Sequence, residues 1–214
     1  MGTSMAFYLV DRRDMTREEL SEKMKAFREN TEHTLRARAD ILKERLEKLG
    51  MSTMVCDHLC SCPRSMLAVF SPESRWVPLF ETNLCEGYTA SSRDTDRLSK
   101  LFGTPVLAFS IYDSDALFVS YSDCARHVHY DYIKPDFPEF EEYDSEQYQN
   151  TFPEFLYAYC KEADWERLRQ IWELEDDDEL FADDRMMVLC LLLGTPVLYD
   201  GKTIPEGYVK LEMD

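Results

Sequence analysis

The chain has few glycines and lacks the sequence motifs of nucleotide-binding and serine-hydrolase folds. Only 7 of its 214 residues are glycine, and neither a Gly-x-Gly-x-x-Gly turn nor a P-loop occurs. A Gly-x-Ser-x-Gly elbow is absent as well. The longest apolar run, Met186–Leu193, is too short to cross a bilayer. These absences argue against dinucleotide, P-loop and α/β-hydrolase functions, and we expect no membrane partner.

The cysteines do not suit a disulfide framework. There are 7 of them, an odd number at irregular spacings, and the chain shows no secretory signal. A reducing compartment is therefore expected, and we predict a cytoplasmic protein.

Basic residues are scarce outside the first fifty positions. Residues 1–50 hold 11 Lys and Arg against 10 Asp and Glu, whereas residues 51–214 hold 13 against 32. The stretch Asp136–Asp184 alone carries 18 acidic residues and 3 basic ones. Such a surface repels nucleic acid, which we do not expect as a partner. It attracts basic proteins, although an acidic surface can also serve solubility alone.

A seven-residue pattern, Leu-x-Gly-Thr-Pro-Val-Leu, occurs at Leu101–Leu107 and at Leu192–Leu198. Each copy follows an apolar helical run. The glycine predicts the left-handed residue that ends a helix, and the proline prevents the helix from continuing. Valine and leucine then favour a strand. Both copies therefore predict a helix, a stop and a strand.

A long amphipathic helix is predicted over residues 16–49. Thr16 and Glu19 match a capping box at its start, and Gly50 ends it. At about 50 Å, such a helix crosses the whole body, breaks near Asn30–Thr31 or projects. A projecting helix would support a homodimer. The stripe that suggests these alternatives consists of Leu20, Met24, Phe27, Thr31, Leu35, Leu42, Leu46 and Leu49.

The remaining elements indicate a single α+β domain over residues 1–214, with an antiparallel sheet, the long N-terminal helix and a C-terminal helical group. Residues 65–133 are mostly sheet, 150–194 are helical and 195–214 form short terminal strands. A shorter helix ends at Phe102, and Pro135–Gln149 is an acidic loop. The predicted strands are Ala6–Asp11, Ser65–Phe70, Arg75–Glu81, Val106–Tyr112, Ala116–Tyr121 and Arg126–Tyr132, and the C-terminal helices are Phe152–Cys160, Asp164–Glu173 and Phe181–Leu193.

Four residues of metal-ligating types, Cys56, His58, Cys60 and Cys62, lie within seven positions. Thiolate and imidazole are the ligands that zinc prefers. On a strand, however, alternate residues lie about 7 Å apart, and a second cysteine pair is missing. Incidental thiols are the alternative interpretation. Stoichiometric zinc, lost when Cys60 and Cys62 become serine, would identify a site.

His127, His129 and Asp131 alternate along a predicted strand and should therefore point to one face. Two such imidazoles and a carboxylate can share a metal ion. The polar face of any half-exposed strand has the same pattern without a ligand. Transition metal bound to the purified chain would distinguish the two interpretations.

Several short motifs between Trp76 and Leu198 resemble an uncharacterised, mainly bacterial protein family. They are Trp76 in a strand, Leu101–Gly103 at a helix end, Asp113–Asp115 after a strand, Phe181–Arg185 at a helix start and Leu193–Gly194 at another helix end. Phe102 interrupts the first Leu-Gly pair. The resemblance implies an α+β module without an established activity, and antitoxin or immunity-like roles by analogy.

The sequence favours a non-enzymatic protein-binding module whose acidic surface, Asp136–Asp184, meets a basic protein. Immunity toward a basic toxin is one concrete version. No catalytic residue and no cofactor are predicted for it. The alternative is a small metal-dependent enzyme that uses His127, His129 and Asp131.

Overall fold

Seven strands of the computed structural model form one antiparallel sheet within the described part of the chain. They are β1 Met5–Asp11, β2 Met66–Phe70, β3 Trp76–Glu81, β4 Val106–Tyr112, β5 Ala116–Asp123, β6 Val128–Lys134 and β7 Val209–Met213. Their spatial order is β6-β5-β4-β1-β3-β2-β7, so the first strand lies in the middle. The structure describes residues 5–53, 66–81, 92–112, 116–134, 148–149, 151–174, 181–195 and 206–213.

Helices cover both faces of this sheet. They are α1 Arg17–Lys48, α2 Ser92–Phe102, α3 Trp165–Glu173 and α4 Ala182–Leu192, with 3₁₀ helices at Glu154–Tyr159 and Glu162–Asp164. We call α1 and α2 the N-terminal layer, and the 3₁₀ helices with α3 and α4 the C-terminal layer. The α+β class, the antiparallel sheet and the C-terminal helices are confirmed. Within the described ranges, a helix with the length and apolarity needed to cross a bilayer is absent.

The side chains of the central strand belong to two separate hydrophobic cores. Leu9 faces the C-terminal layer and shares a core with Trp172, whereas Val10 faces the N-terminal layer and shares a core with Leu20. Successive strand residues point to opposite faces, so a strand covered on both sides must be apolar at almost every position. The apolar run Val106–Tyr112 was predicted to be a strand, and as β4 it lies between β5 and β1 in the interior of the sheet.

The first helix begins at the predicted capping box. The Thr16 hydroxyl accepts from the backbone N–H of Glu19 at 3.2 Å, and the Glu19 carboxylate accepts from the backbone N–H of Thr16 at 2.9 Å. Leu20, Met24 and Phe27 are buried in the core of the N-terminal layer. Packing of α1 on the sheet is described for these first three turns. That α1 covers the sheet over its whole predicted length, residues 16–49, stays a prediction.

Both glycines of the repeated pattern have the predicted left-handed backbone. Gly103 and Gly194 each have a φ of +68° and follow the last residues of α2 and α4. The backbone N–H of Thr195 donates to the carbonyl of Cys190 at 3.0 Å, which closes the second helix end. The first copy leads directly into β4, as predicted. The strand predicted after the second copy lies in residues 196–205, outside the described residues.

Two predicted elements differ from the structure. The segment predicted as the helix Phe152–Cys160 is a 3₁₀ helix at Glu154–Tyr159. Pro153 precedes it, and the segment is short enough for i→i+3 hydrogen bonds to prevail. Part of the predicted loop Pro135–Gln149 pairs with the sheet, because the backbone N–H of Gln149 donates to the Asp131 carbonyl at 2.9 Å.

We expect the variant Gly103→Ala to lose about 1 kcal/mol of unfolding free energy, because an alanine side chain disfavours a positive φ. No atom lies within 4 Å of a Cβ placed at Gly103, so the cost comes from the backbone alone. Urea denaturation measures it. Gly103→Asn is the matched control, since asparagine tolerates this conformation better and should cost less. Equal losses in the two variants would contradict the interpretation.

Candidate functional site

The strand that carries the alternating residues His129 and Asp131, β6, lies at one edge of the sheet. His129 and Asp131 of β6 are paired in register with Ser122 and Ser120 of β5. Directly paired residues point to the same face of an antiparallel sheet. Asp96 of α2 also reaches Ser122, so this polar group faces the N-terminal layer.

His127 does not join this group on the strand. The predicted strand begins at Arg126, but β6 begins at Val128, and His127 lies before it in a turn with a φ of +56°. The prediction that His127 lies on the same strand as His129 and Asp131 is therefore wrong, although His127 and His129 line the same open pocket. The physical reason is local. The left-handed residue rotates the backbone out of the extended geometry on which the alternation depends.

Both ring nitrogens of His129 are hydrogen bonded. Nδ1 lies 3.1 Å from the hydroxyl oxygen of Ser122, and Nε2 lies 2.9 Å from Oδ2 of Asp131. The second carboxylate oxygen of Asp131 accepts from the Ser120 hydroxyl. The Ser122 hydroxyl also lies 3.4 Å from Oδ1 of Asp96. This chain of contacts links β6, β5 and α2.

The arrangement favours a protonated imidazole. The hydrogen bond with Asp131 raises the pKa of His129, and the negative charges of Asp131 and Asp96 add to this, while partial burial opposes it. A protonated ring donates from both nitrogens, to Asp131 and to Ser122. The hydroxyl hydrogen of Ser122 is then available to Asp96. Each donor in the group has an acceptor in this state.

The group resembles a serine–histidine–carboxylate relay only in its connectivity. Ser122 is fully buried, so a substrate cannot reach its hydroxyl in this conformation. A nucleophile must be accessible to the atom that it attacks. The hydrogen bonds among Ser122, His129 and Asp131 therefore suit a structural role, in which the protons of the His129 ring link β6 to β5.

The same contacts disfavour a metal at this place. An ion could bind His129 only by displacing Ser122 or Asp131 from a ring nitrogen, since metal-ligating imidazole uses a lone pair. Across the described residues, no three His, Cys, Asp or Glu side chains converge as a ligand set. The other candidate ligands, Cys56, His58, Cys60 and Cys62, lie outside the described residues.

The C-terminal layer combines acidic and apolar side chains on its surface. Leu174 at the end of α3 and Phe181 at the start of α4 are 51% and 48% exposed. Glu166 and Glu173 of α3 are exposed as well. The layer contains fewer basic residues, and Arg169 is already paired with Glu173 at 3.1 Å. Exposed apolar residues among charges of one sign are typical of an interaction surface.

A buried arginine holds the two helices of this surface together. Arg185 of α4 donates from Nη1 to the carbonyl of Trp172 and from Nη2 to the carbonyl of Leu174, both at 3.0 Å. Its Nη1 also contacts the carbonyl of Ile171. These carbonyls end α3 and carry its partial negative charge, which a guanidinium neutralises. The arginine therefore places Leu174 close to the first turn of α4.

Sequence reasoning missed a polar cleft at the end of the sheet where β1 and β5 terminate. The carboxylate of Asp11 is buried and accepts from Nε and Nη2 of Arg75 at 3.3 and 3.0 Å. The guanidinium of Arg75 stacks 4.5 Å from the ring centroid of Tyr159. Asp123 at the end of β5 is also buried. The sequence contains one indication of this cleft, since Asp11 and Asp123 each end an apolar strand.

The phenols of this cleft are neutral. The hydroxyl oxygens of Tyr121 and Tyr159 lie 2.8 Å apart. Burial raises the pKa of Tyr159 well above its usual value, and the hydrogen bond with Tyr121 raises it further. Burial likewise raises the pKa of Tyr121. Neither ring adds negative charge to the cleft at neutral pH.

No family model, no characterised protein and no solved structure matches this chain. The family resemblance noted from Trp76 to Leu198 therefore stays a prediction.

We expect His129 to make the unfolding free energy depend on pH. Its pKa is about 6.5 in an unfolded chain and higher in the folded protein. The stabilisation is therefore complete below about pH 6.5 and is lost as the pH rises through the folded pKa. Because the ring is partly exposed, the change is at most about 1 kcal/mol. Urea denaturation between about pH 5 and pH 9 measures it against His129→Gln.

The variant Asp131→Asn is the control, because it removes the main cause of the shift but keeps the imidazole. NMR titration of the ring protons gives the His129 pKa directly. It should lie above about 6.5 in the wild type and fall in Asp131→Asn. A wild-type value at or below about 6.5 would falsify the assignment of a protonated ring.

Proposed function

We propose that the chain is a non-enzymatic protein-binding module whose acidic C-terminal layer binds a basic protein. The proposal rests on the exposed side chains of Leu174, at the end of α3, and Phe181, at the start of α4. We call this pair of residues the corner. Two large apolar side chains are about half exposed there, and they flank the acidic tract Glu175–Glu179 in the sequence. A partner that covers them removes apolar area from water.

The corner is held in place by hydrogen bonds, which favours binding without a large ordering cost. Arg185 ties the end of α3 to α4 through the Leu174 carbonyl. The backbone N–H of Phe181 donates to the carboxylate of Asp184 at 3.3 Å, which fixes the start of α4. Preorganised surfaces lose less conformational entropy on binding.

The charge of the region selects the class of partner. The stretch Asp136–Asp184 carries 18 acidic residues against Lys161, Arg167 and Arg169. Arg167 is already neutralised by Asp164 at 3.6 Å. Such a field speeds the approach of a basic protein and slows that of an acidic one. A basic toxin bound by this surface would make the chain an immunity protein.

The double variant Leu174→Ser/Phe181→Ser should abolish capture of the partner, because the apolar contacts supply the affinity. A triple variant, Glu162→Gln/Glu166→Gln/Glu173→Gln, should weaken capture and reduce its salt dependence. The measurement is affinity capture from a lysate of the source organism between about 0.05 and 0.5 M NaCl.

Matched controls are available outside the C-terminal layer. Val209→Ser changes an exposed apolar residue of β7, and Glu22→Gln/Glu29→Gln/Glu47→Gln changes three exposed acids of α1. Both controls should capture the partner as the wild type does. The proposal fails if no salt-sensitive protein is captured, or if the control and surface variants lose it equally.

Self-association through α1 is a separate proposal. It is supported by the exposure of Ile41 and Leu49, together with Met51 just after the helix. Exposed apolar side chains near one helix end can be covered by a second copy. Light scattering should give a dimer mass that falls to the monomer mass in Ile41→Gln/Leu49→Gln. A monomer at about 100 μM wild-type chain would exclude a dimer of micromolar affinity.

A further inference from the structure

The cleft at the end of the sheet is open, has a volume of about 610 Å³ and lies entirely within described residues. Strands β1 and β5 end there with Asp11 and Asp123, and Pro105 precedes β4 between them. Its inner side carries the Tyr159 ring under the Arg75 guanidinium. The volume is typical of a site for a small molecule.

Four arginines line this cleft, and two of them, Arg12 and Arg75, make three hydrogen bonds each within the protein. Arg75 donates to both carboxylate oxygens of Asp11 and to the carbonyl of Ala158. Arg12 donates to three backbone carbonyls, those of Ser74, Met15 and Pro72. Each of the three nitrogen atoms in these two guanidinium groups therefore has an acceptor within the protein.

The other two arginines have donors to spare. Arg126 reaches the buried carboxylate of Asp123 only through Nε, at 3.4 Å, and its side chain is 76% exposed. Both of its Nη groups are without a partner among the described residues. The Arg13 guanidinium has no polar contact in the described part of the chain either. Both side chains line the cleft.

The two loops that carry these arginines have an unusual backbone. Arg13 itself has a φ of +48°, and His127, next to Arg126, has a φ of +56°. Residues other than glycine adopt such values rarely, and they do so where the surroundings enforce them. Here the Asp11 carboxylate accepts from the backbone N–H of Arg13, and that of Asp123 accepts from the N–H of Ala125. The buried carboxylates therefore shape both loops.

The local charge is opposite in sign to that of the chain. Four arginines line the cleft against Asp11, Glu73 and Asp123, in a chain of net charge −18. Asp11 and Asp123 already have cationic partners, so a ligand cation would find only Glu73 without one. Tyr159 is neutral. The unsatisfied groups are therefore mainly the donors of Arg13 and Arg126.

We propose that this cleft binds a small oxyanion, a phosphate or carboxylate group, between the guanidinium groups of Arg13 and Arg126. A guanidinium presents paired N–H groups that match the spacing of two oxyanion oxygens. Arg12 and Arg75 add positive charge to the lining of the cleft, and the Glu73 carboxylate opposes binding. The ligand is thus a phosphorylated or carboxylated metabolite small enough for the cleft.

The test is isothermal titration of the full chain with inorganic phosphate, pyrophosphate or citrate at constant ionic strength. At least one of them should bind, and Arg13→Gln and Arg126→Gln should each weaken binding about ten-fold. Amide NMR shifts on binding should concentrate in residues 11–13 and 123–127. Binding of phosphate or pyrophosphate alone assigns the phosphate class, and binding of citrate alone assigns the carboxylate class.

Arg167→Gln is the matched control. The side chain of Arg167 is also 76% exposed and is also paired with an aspartate three residues earlier, but it lies in α3 away from the cleft. This variant should bind the anion as the wild type does. The proposal is overturned if none of the three anions binds, or if Arg167→Gln weakens binding as much as Arg126→Gln. Equal melting temperatures of the ligand-free variants exclude unfolding as the cause.

Discussion

The burial of both faces of the sheet is the constraint on which the rest of this structure depends. Leu9 and Val10 are adjacent in the chain, yet they belong to cores on opposite sides. In a strand covered in this way an unpaired charge is far more costly than an unpaired hydroxyl such as that of Ser110, which is buried in β4. Charged side chains are therefore placed where the cover ends, as Asp11 and Asp123 are at the strand ends and Asp131 is at the edge. Both polar sites follow from this one requirement.

Buried charges in these places need partners, and the way each partner is supplied decides what the site can do. Asp11 is neutralised by two hydrogen bonds from Arg75, which is itself held against Tyr159. The Asp11–Arg75 ion pair therefore needs no further partner, and its role is structural. Asp123 is satisfied largely by the backbone of its own turn, and Arg126 adds one long contact. Arg126 therefore keeps free donors after β5, as Arg13 does after β1, and free donors are what a ligand can use.

The elements that sequence reasoning predicted well depend on local interactions. The capping box at Thr16 and the left-handed Gly103 need only residues within one turn, so their patterns are sufficient. The cleft escaped prediction because Asp11 and Arg75 are brought together by a sheet order that the sequence does not display. His127 was placed wrongly for a different reason. Residues 124–127 form a tight turn without glycine or proline, so the usual signals of a turn are missing.

The two proposed sites carry charges of opposite sign. Exposed acids such as Glu162, Glu166 and Glu173 belong to the C-terminal layer, whereas the free arginines belong to turns that follow β1 and β5. Attraction between a negative surface and a basic protein weakens with any added salt, since screening does not depend on the identity of the ion. Binding of an oxyanion between two guanidinium groups depends on that identity, because chloride cannot accept paired hydrogen bonds in the same geometry. At equal ionic strength, a response to phosphate or citrate that chloride does not produce therefore reports on Arg13 and Arg126 rather than on the acidic layer.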